Sequence, residues 1–543
     1  MRSIDSKLLK EMFISASNNL YNHYPQVDAL NVFPVPDGDT GMNMNLTMAS
    51  GAKEIQNRND RDVFSCATAF SKGLLMGARG NSGVITSQIF SGFAKSLIDK
   101  EVIKVIDLSD AFVNGSRVAY KAVMRPVEGT ILTVIRESSE ALSNIVEESM
   151  SIEKAMELLI KEAKASLKRT PDLLPVLKEV GVVDSGGSGL VFILEGMYKA
   201  LIGKFVERGE ATSVVEETAA KGVDSDEFGY CTEFILRLGP AEEKKPFIEN
   251  RFKDILKSRG NSIVVVRDAD IVKVHIHTLN PGQILTYAQG YGEFVTIKVE
   301  NMTEQHTKLA DRQPEKTVKK EPSKEFAMVS ISAGSGVDEI FKSLGVDEIV
   351  SGGQTMNPST EDIVSAIRKT DAKTVFVYPN NGNIVLAAQQ AQEVLNGEVN
   401  VRVIMTKTIP EGIIATSVYN PDASIEDNIA IMEEEISHVK SGSVTYSIKD
   451  TTIDGVEVQK DHFMGISGKK IITCDKNPLN ALYAMIDTMV TEESFLLMVL
   501  VGEGINQNQI DEVKSKLSEK YENLEIDIRQ GDQPVYSFLV GIE

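Results

Sequence analysis

Apolar residues recur at helical spacing from Ile4 to about residue 204, and no run in that stretch alternates with the period of two that a half-buried strand requires. Ile4, Leu8, Met12, Ala16 and Leu20 form the first stripe, widened by Leu9 and Phe13. Segments of the same kind are predicted near 41–56, 61–76, 82–98, 108–124, 130–146, 152–167 and 188–204. Helices with no sheet beside them can bury their stripes only against one another. Residues 1–205 are therefore predicted to form an all-α domain of eight helices.

A polar, acidic and aperiodic stretch at 206–226 reads as a linker, and beyond it the period changes to two. YCTEFILRL is strand-like, PFIENRFKDILKS helical, SIVVVRD and IVKVHIHT are strands, a helix follows from Gly282 to Ala288, and EFVTIKVEN closes the series. That is β-α-β-β-α-β over 227–304, the order of an α+β ferredoxin-like domain. A charged, proline-containing linker at 305–325 precedes a third region, 326–543. There AMVSIS, TVFVYP, VRVIMT, KIITC, SFLLMVLVG and LEIDIRQ alternate with helices, which predicts an α/β domain on a largely parallel buried sheet. Tethered by its charged linker, this domain is expected to move and to recruit a partner.

Against 57 Lys and Arg stand 78 Asp and Glu, a net charge of −21 that disfavours general binding to nucleic acid or to anionic lipid. No apolar run approaches membrane-spanning length, so stable membrane insertion is not expected. The three cysteines, Cys66, Cys231 and Cys474, are too few and too scattered for a disulfide framework. A reducing cytoplasm is the expected compartment.

The breaks between the predicted helices carry the chemistry. In Asn31-Val-Phe-Pro-Val-Pro-Asp37-Gly-Asp39-Thr40-Gly-Met-Asn43, two carboxylates stand two residues apart in a turn and repel each other unless a cation lies between them. Oxygen ligands at this spacing suit Mg²⁺, which fills its octahedron with water and substrate phosphates. Asp and Thr just ahead of a helix are also its commonest start signal, and both readings stay open from these residues alone. Gly77-Ala-Arg79-Gly80-Asn81-Ser82-Gly83 precedes a helix and reads as an anion cradle of amides, without the lysine of a Walker loop, or as no more than a turn. Pro126-Val-Glu128-Gly129-Thr130 and Asp184-Ser185-Gly186-Gly187-Ser188-Gly189 head two further helices. Four polar, glycine-marked helix starts in one helical domain exceed what its turns need.

In this order, DGDTGMN, GARGNSG, PVEGT and DSGGSG resemble the nucleotide-binding domain of the dihydroxyacetone kinases. With FGYCTEF at 228–234, VKVHIHT at 272–278 and SGGQTMNPST at 351–360, the whole chain resembles the ATP-binding subunit of bacterial fatty acid kinases. The resemblance implies an eight-helix barrel with the nucleotide at one end. It implies two Mg²⁺ ions on the ATP phosphates, held by Asp37 and Asp39, with Asn31 where the family carries a third aspartate. Thr40, Asn43 and Asn45 would approach the phosphates, Ser82 and Gly83 would add a helix N-terminus, and Gly129 and Thr130 would line the adenosine side with Asp184. A separate fatty-acid-binding protein would present the substrate, the middle domain would join a homodimer, and the acyl phosphate product would feed phospholipid synthesis.

The chemistry of such a reaction agrees. A fatty acid carboxylate is already ionised near neutral pH, so no general base is needed, and no Ser/His/Asp arrangement is found. Phosphoryl transfer needs in-line positioning and neutralised charge, for which Arg79 is the candidate cation facing the γ-phosphate; a solvated surface arginine is the other reading. Two other functions are weighed: a kinase for a small hydroxy-ketone such as dihydroxyacetone, and a non-enzymatic nucleotide-sensing scaffold. Finally, His275 and His277 lie two apart on a predicted strand, next to a first strand whose start carries Cys231. One thiolate and two imidazoles suit tetrahedral Zn²⁺, with water, Glu233 or a neighbouring chain as fourth ligand; a metal-free Cys beside two surface histidines is the other reading.

Overall fold

The computed structural model describes residues 2–31, 38–209, 230–239, 247, 251–252, 255–256, 259, 261–268, 271–278, 280–301, 322–353, 357–468 and 470–543. Of some strand residues in 230–301 only the backbone is described. The chain forms two compact units: Met1–Gly209 together with Pro322–Glu543, and Glu210–Glu321.

In the first unit the N-terminal half is helical, as the spacing of its apolar residues requires. Its long helices are α1 (Ser6–Tyr21), α3 (Thr40–Gln56), α4 (Val63–Gly77), α5 (Gly80–Lys95), α6 (Val105–Ala122), α7 (Ile131–Ser143), α8 (Ile152–Leu173) and α10 (Ser185–Leu201). Two short helices that the periodicity does not reveal, α2 (Tyr24–Asp28) and α9 (Pro175–Val180), sit in the connections. Both begin at or beside a proline, whose fixed φ suits a first helical turn. Side-chain caps start several of the long ones: Asp5 accepts from the Leu8 amide at 2.8 Å, and Asp62 from the Ser65 amide at 2.7 Å. Each long helix packs on the next, and α10 returns to lie against α1. Phe13, Phe70, Phe90, Phe93 and Phe112 knit α1, α4, α5 and α6 together, with Phe13 stacked on Phe70 at 4.1 Å between ring centroids.

The second unit holds β1 (Tyr230–Leu238), β2 (Asn261–Asp268), β3 (Ile271–Thr278), α11 (Pro281–Gln289) and β4 (Gly292–Asn301). Its sheet runs β2-β3-β1-β4, and every neighbouring pair is antiparallel. The first and third strands are therefore adjacent, as expected. The helix expected between the first two strands falls largely outside the described residues.

The C-terminal half of the first unit departs from expectation. It opens as predicted, with β5 (Lys324–Ser332), α12 (Ser335–Ser343), β6 (Glu348–Ser351), α13 (Thr360–Lys369), β7 (Ala372–Tyr378), α14 (Val385–Val394) and β8 (Asn400–Val403). These give a four-stranded parallel sheet in the order β6-β5-β7-β8. Two helices, α15 (Ile409–Ser417) and α16 (Ile425–His438), lead to a second, mostly antiparallel sheet. It is built from β9 (Lys440–Tyr446), β12 (Phe463–Ser467), β13 (Lys470–Asp475), β14 (Leu496–Val501), β15 (Glu525–Gln530) and β16 (Tyr536–Ile542) in the order β13-β12-β9-β16-β14-β15. A hairpin, β10 (Thr451–Ile453) with β11 (Val456–Val458), projects from it, and α17 (Pro478–Met489) and α18 (Gln507–Lys520) complete the half. Only the β14–β15 pair of the six-stranded sheet is parallel, so the single largely parallel sheet is corrected to two sheets of different kind. The missed strands, such as KSGSVTY and YSFLVGI, lack the continuous apolar runs of a strand buried on both faces.

The expected free tethering of the C-terminal domain is also corrected, its recruiting role being a separate matter. Ala78 and Val84, at the start of α5, are buried in one apolar cluster with Val329, Val375, Ala387 and Ala388 of the C-terminal half. Beside them the Gln88 amide donates to the Gln390 side chain. No helix among the described residues is long and apolar enough to cross a membrane.

Candidate active site

Four helix N-termini meet at one end of the helical half. The Asn31 side-chain oxygen accepts from the Thr40 hydroxyl at 2.8 Å and from the Ser185 hydroxyl at 3.4 Å, which brings the starts of α3 and α10 together. The Ser82 hydroxyl donates to the Thr40 carbonyl at 3.4 Å, adding α5. The Asp184 carboxylate accepts from the Gly187 amide at 2.6 Å and also from the Ile131 amide, adding α7. The partial positive charge at each of these ends favours negative charge where they converge.

The fate of the capping reading is visible at α3. Asp39 occupies its N-cap position but makes no capping bond. The carboxylate of Asp28 does that work, accepting from the Gly41 amide at 2.6 Å and the Met42 amide at 3.3 Å. Asp39 instead accepts from the Asn357 side-chain amide at 2.7 Å. Asp37, with Val32–Pro36, lies outside the described residues.

The remaining predicted residues separate into groups. Asn43 is buried beside Gly80, where an added Cβ would come within 2.6 Å of the Asn43 side-chain nitrogen. Gly80 has φ +57°, so only glycine opens α5 here without strain. Asn45 is also buried but lies two residues on, and so on another face of α3. Gly83 packs on the Thr47 hydroxyl, which an added Cβ would meet at 2.4 Å. Gly129 (φ +83°) donates its amide to the Thr133 hydroxyl at 2.8 Å, and the Thr130 hydroxyl donates to the Val127 carbonyl at 2.7 Å. Glu128 of the same motif ties the loop down, accepting from Thr133 at 2.6 Å, Arg136 at 2.9 Å and Tyr120 at 3.0 Å. Burial raises the Asp184 carboxyl to about 6, against the two amides that favour its charge.

Arg79 was expected to face a phosphate. Its guanidinium instead donates to the Asn357 backbone carbonyl at 2.7 Å and stands 3.7 Å from Asp362. Reasoning from sequence missed Asp28, Asn357 and Lys449, whose ammonium donates to the Asn31 carbonyl at 2.9 Å. Burial lowers the pKa of that lysine. The polar, glycine-marked stretch SGGQTMNPST heads a helix as the four glycine-marked motifs of the helical half do, and that signal was available for Asn357.

In the second unit Cys231 pairs across the β1–β3 ladder from His277, and Glu233 from His275. Their side chains lie outside the described residues. Among the described residues no group of three His, Cys, Asp or Glu side chains is placed to hold a metal.

Residues 34–199 match the DAK2 domain, 227–309 the middle domain of the FakA-like fatty acid kinase family, and 327–543 the C-terminal domain of that family. Protein YloV of Bacillus subtilis is 44% identical over 555 residues, covering 100% of both chains. The chain belongs to the FakA-like fatty acid kinase family. An uncharacterized protein from Staphylococcus aureus (strain USA300) is 44% identical over 548 residues, covering 99% of each chain. Among solved structures, fatty acid kinase B3 protein of Streptococcus pneumoniae, loaded with linoleic acid, aligns with 40% of this chain and 99% of its own at 11% identity and a TM-score of 0.29. Dihydroxyacetone kinase of C. freundii, with AMP-PNP and Mg²⁺, aligns with 37% of this chain and 35% of its own at 19% identity and a TM-score of 0.28.

Proposed function

We propose that this chain is the ATP-dependent component that phosphorylates a fatty acid carboxylate, presented by a separate fatty-acid-binding protein, to give an acyl phosphate for phospholipid synthesis. The observation that carries the reading is the convergence of four helix N-termini beside an aspartate that stands at a cap position without capping. A triphosphate fits such a place because its charge is met by fixed dipoles that need no reorganisation. The donor set fits Mg²⁺ as well: Asp39 and the neutral oxygen of Asn31 are hard ligands, and Asp37 stands two residues before Asp39 in the sequence. Bound there, two Mg²⁺ ions would neutralise the phosphates and leave the γ-phosphoryl group electrophilic.

The chain's own residues have narrower tasks. Thr40 and Asn43 with Ser82 and Gly83 form the phosphate side, and Gly129, Thr130 and Asp184 the adenosine side; Asn45, on another face of α3, is left out of it. Arg79 fastens the C-terminal half to the site. The carboxylate acceptor arrives ionised, so none of these residues has to remove a proton. We assign the C-terminal half to partner docking, the middle unit to homodimerisation and a zinc site at Cys231, His275 and His277, and the protein to the cytoplasm.

Hydroxamate trapping of acyl phosphate, with ATP and a lipid-loaded partner, tests the reading. Product should form only when all components are present, and ATP binding without product would leave a nucleotide-sensing scaffold. Asp39→Asn should lower turnover by on the order of 10²–10³ with a melting temperature close to that of the parent. Turnover near the parent's would sink the metal assignment.

A further inference from the structure

One loop of the C-terminal half reaches the phosphate side of the site. Between β6 and α13, Asn357 sets its side-chain nitrogen 2.7 Å from the Asp39 carboxylate. The loop is fastened where it does so. Its Asn357 carbonyl accepts from Arg79 at 2.7 Å, Ser359 forms an isolated antiparallel bridge with Arg79, and the Thr360 amide donates to the Ala78 carbonyl at 3.2 Å. The orientation of the Asn357 amide is settled by chemistry, since a carboxylate at that distance needs a donor and would repel the amide oxygen.

The other end of the same amide is the informative one. Asn357 is 2% exposed, and its Oδ1 has no hydrogen-bond partner among the described residues. A buried acceptor left unsatisfied costs about 1–3 kcal/mol, so such an atom next to a carboxylate points to an occupant that brings a donor. Magnesium keeps several of its waters when it binds through one or two carboxylates, and those waters are donors.

We propose that Asn357, from the C-terminal half, is a positioning residue of the phosphoryl-transfer site: its Nδ2 orients the Asp39 carboxylate, and its Oδ1 accepts a hydrogen bond from a water on the divalent cation that Asp39 holds. This rests on the reading of Asp39 as a cation ligand. The active site is then composite, and the helical half alone lacks one of its parts. Partners that orient metal ligands matter about 10–100-fold in metal affinity, which sets the size of the expected effect.

Mn²⁺ can be titrated into the full chain with AMP-PNP present, and bound Mn²⁺ read by electron paramagnetic resonance. Asn357→Leu keeps the branched outline, somewhat enlarged, and removes both polar atoms; Asn357→Ser is smaller and keeps the backbone contacts to Arg79. At least one of the two should fold with the parent's melting temperature, and it should bind Mn²⁺ about 10–100-fold more weakly. Affinity for metal-free ADP should stay within about twofold, which general damage to the site would not allow. Asp39→Asn is the reference and should lose Mn²⁺ binding outright. If Asp39→Asn loses Mn²⁺ while both folded Asn357 variants bind it as the parent does, the inference is overturned and the kinase reading survives. If Asp39→Asn also binds Mn²⁺ normally, both are overturned.

Discussion

At Asp184 two demands pull against each other. The residue caps α10, and its carboxylate accepts from the Gly187 amide, yet burial raises its pKa from 3.8 to about 6. A carboxyl raised on folding binds its proton better in the folded state. Its favourable contribution is therefore complete below about pH 4 and is lost as the pH climbs from there through 6. The loss is at most about 3 kcal/mol, since each pKa unit is worth about 1.4 kcal/mol. Asp184→Asn keeps the capping oxygen and removes the charge. It should raise stability at pH 7.5 by roughly 1–3 kcal/mol and leave it nearly unchanged at pH 4. Urea melts at the two pH values measure this, and parallel curves for parent and variant would remove burial as the cause. The residue scale was the least legible in the sequence. DGDTG announces a carboxylate near a helix start, but whether it caps depends on Asp28, 13 residues before Gly41, supplying the cap instead.

Among elements, the helices were legible and several strands were not. An amphipathic helix writes a stripe into sequence wherever it packs, and all eight long helices carry one. Strands β9, β12 and β16 are paired on both sides within a mixed sheet, but their apolar residues are interspersed with Ser, Thr and Gly. Their place is decided by partners distant in sequence, as in β16 pairing with β9. The β1–β3 adjacency was legible, and the observed register completes it. That register pairs Cys231 with His277, and it motivates the zinc proposal. Elemental analysis of protein purified without an affinity tag should find close to one zinc per chain, absent from Cys231→Ala. Folded, fully active protein without zinc would leave the three residues with no metal role.

For the whole molecule, domain order was readable but domain association was not, since charged linkers say nothing of whether the parts they join touch. Residues 1–209 contain every motif first assigned to the nucleotide, and a fragment of that length should still bind Mg·ATP. It lacks Asn357, however, and uncovers Ala78 and Val84. We therefore expect its affinity by calorimetry to fall about 10–100-fold below that of the full chain, with increased binding of an apolar dye. Equal affinity would show that the C-terminal half adds nothing to the nucleotide site. Because a loop of the C-terminal half reaches the site of the helical half, any partner whose docking shifts that loop must change metal affinity, and metal must change partner affinity by the same factor.

The burial of Ala78 and Val84 against strands beyond residue 322 also has a meaning in time. Asn357 follows Arg79 by 278 positions. At about 5–20 residues per second, synthesis leaves roughly 14–56 s between the two. During that interval the helical half stands on the ribosome with its future interface facing water, while the whole inserted middle unit is made. A nascent chain stalled before residue 322 should therefore be the form most dependent on chaperones, and release of the last strand should end that dependence.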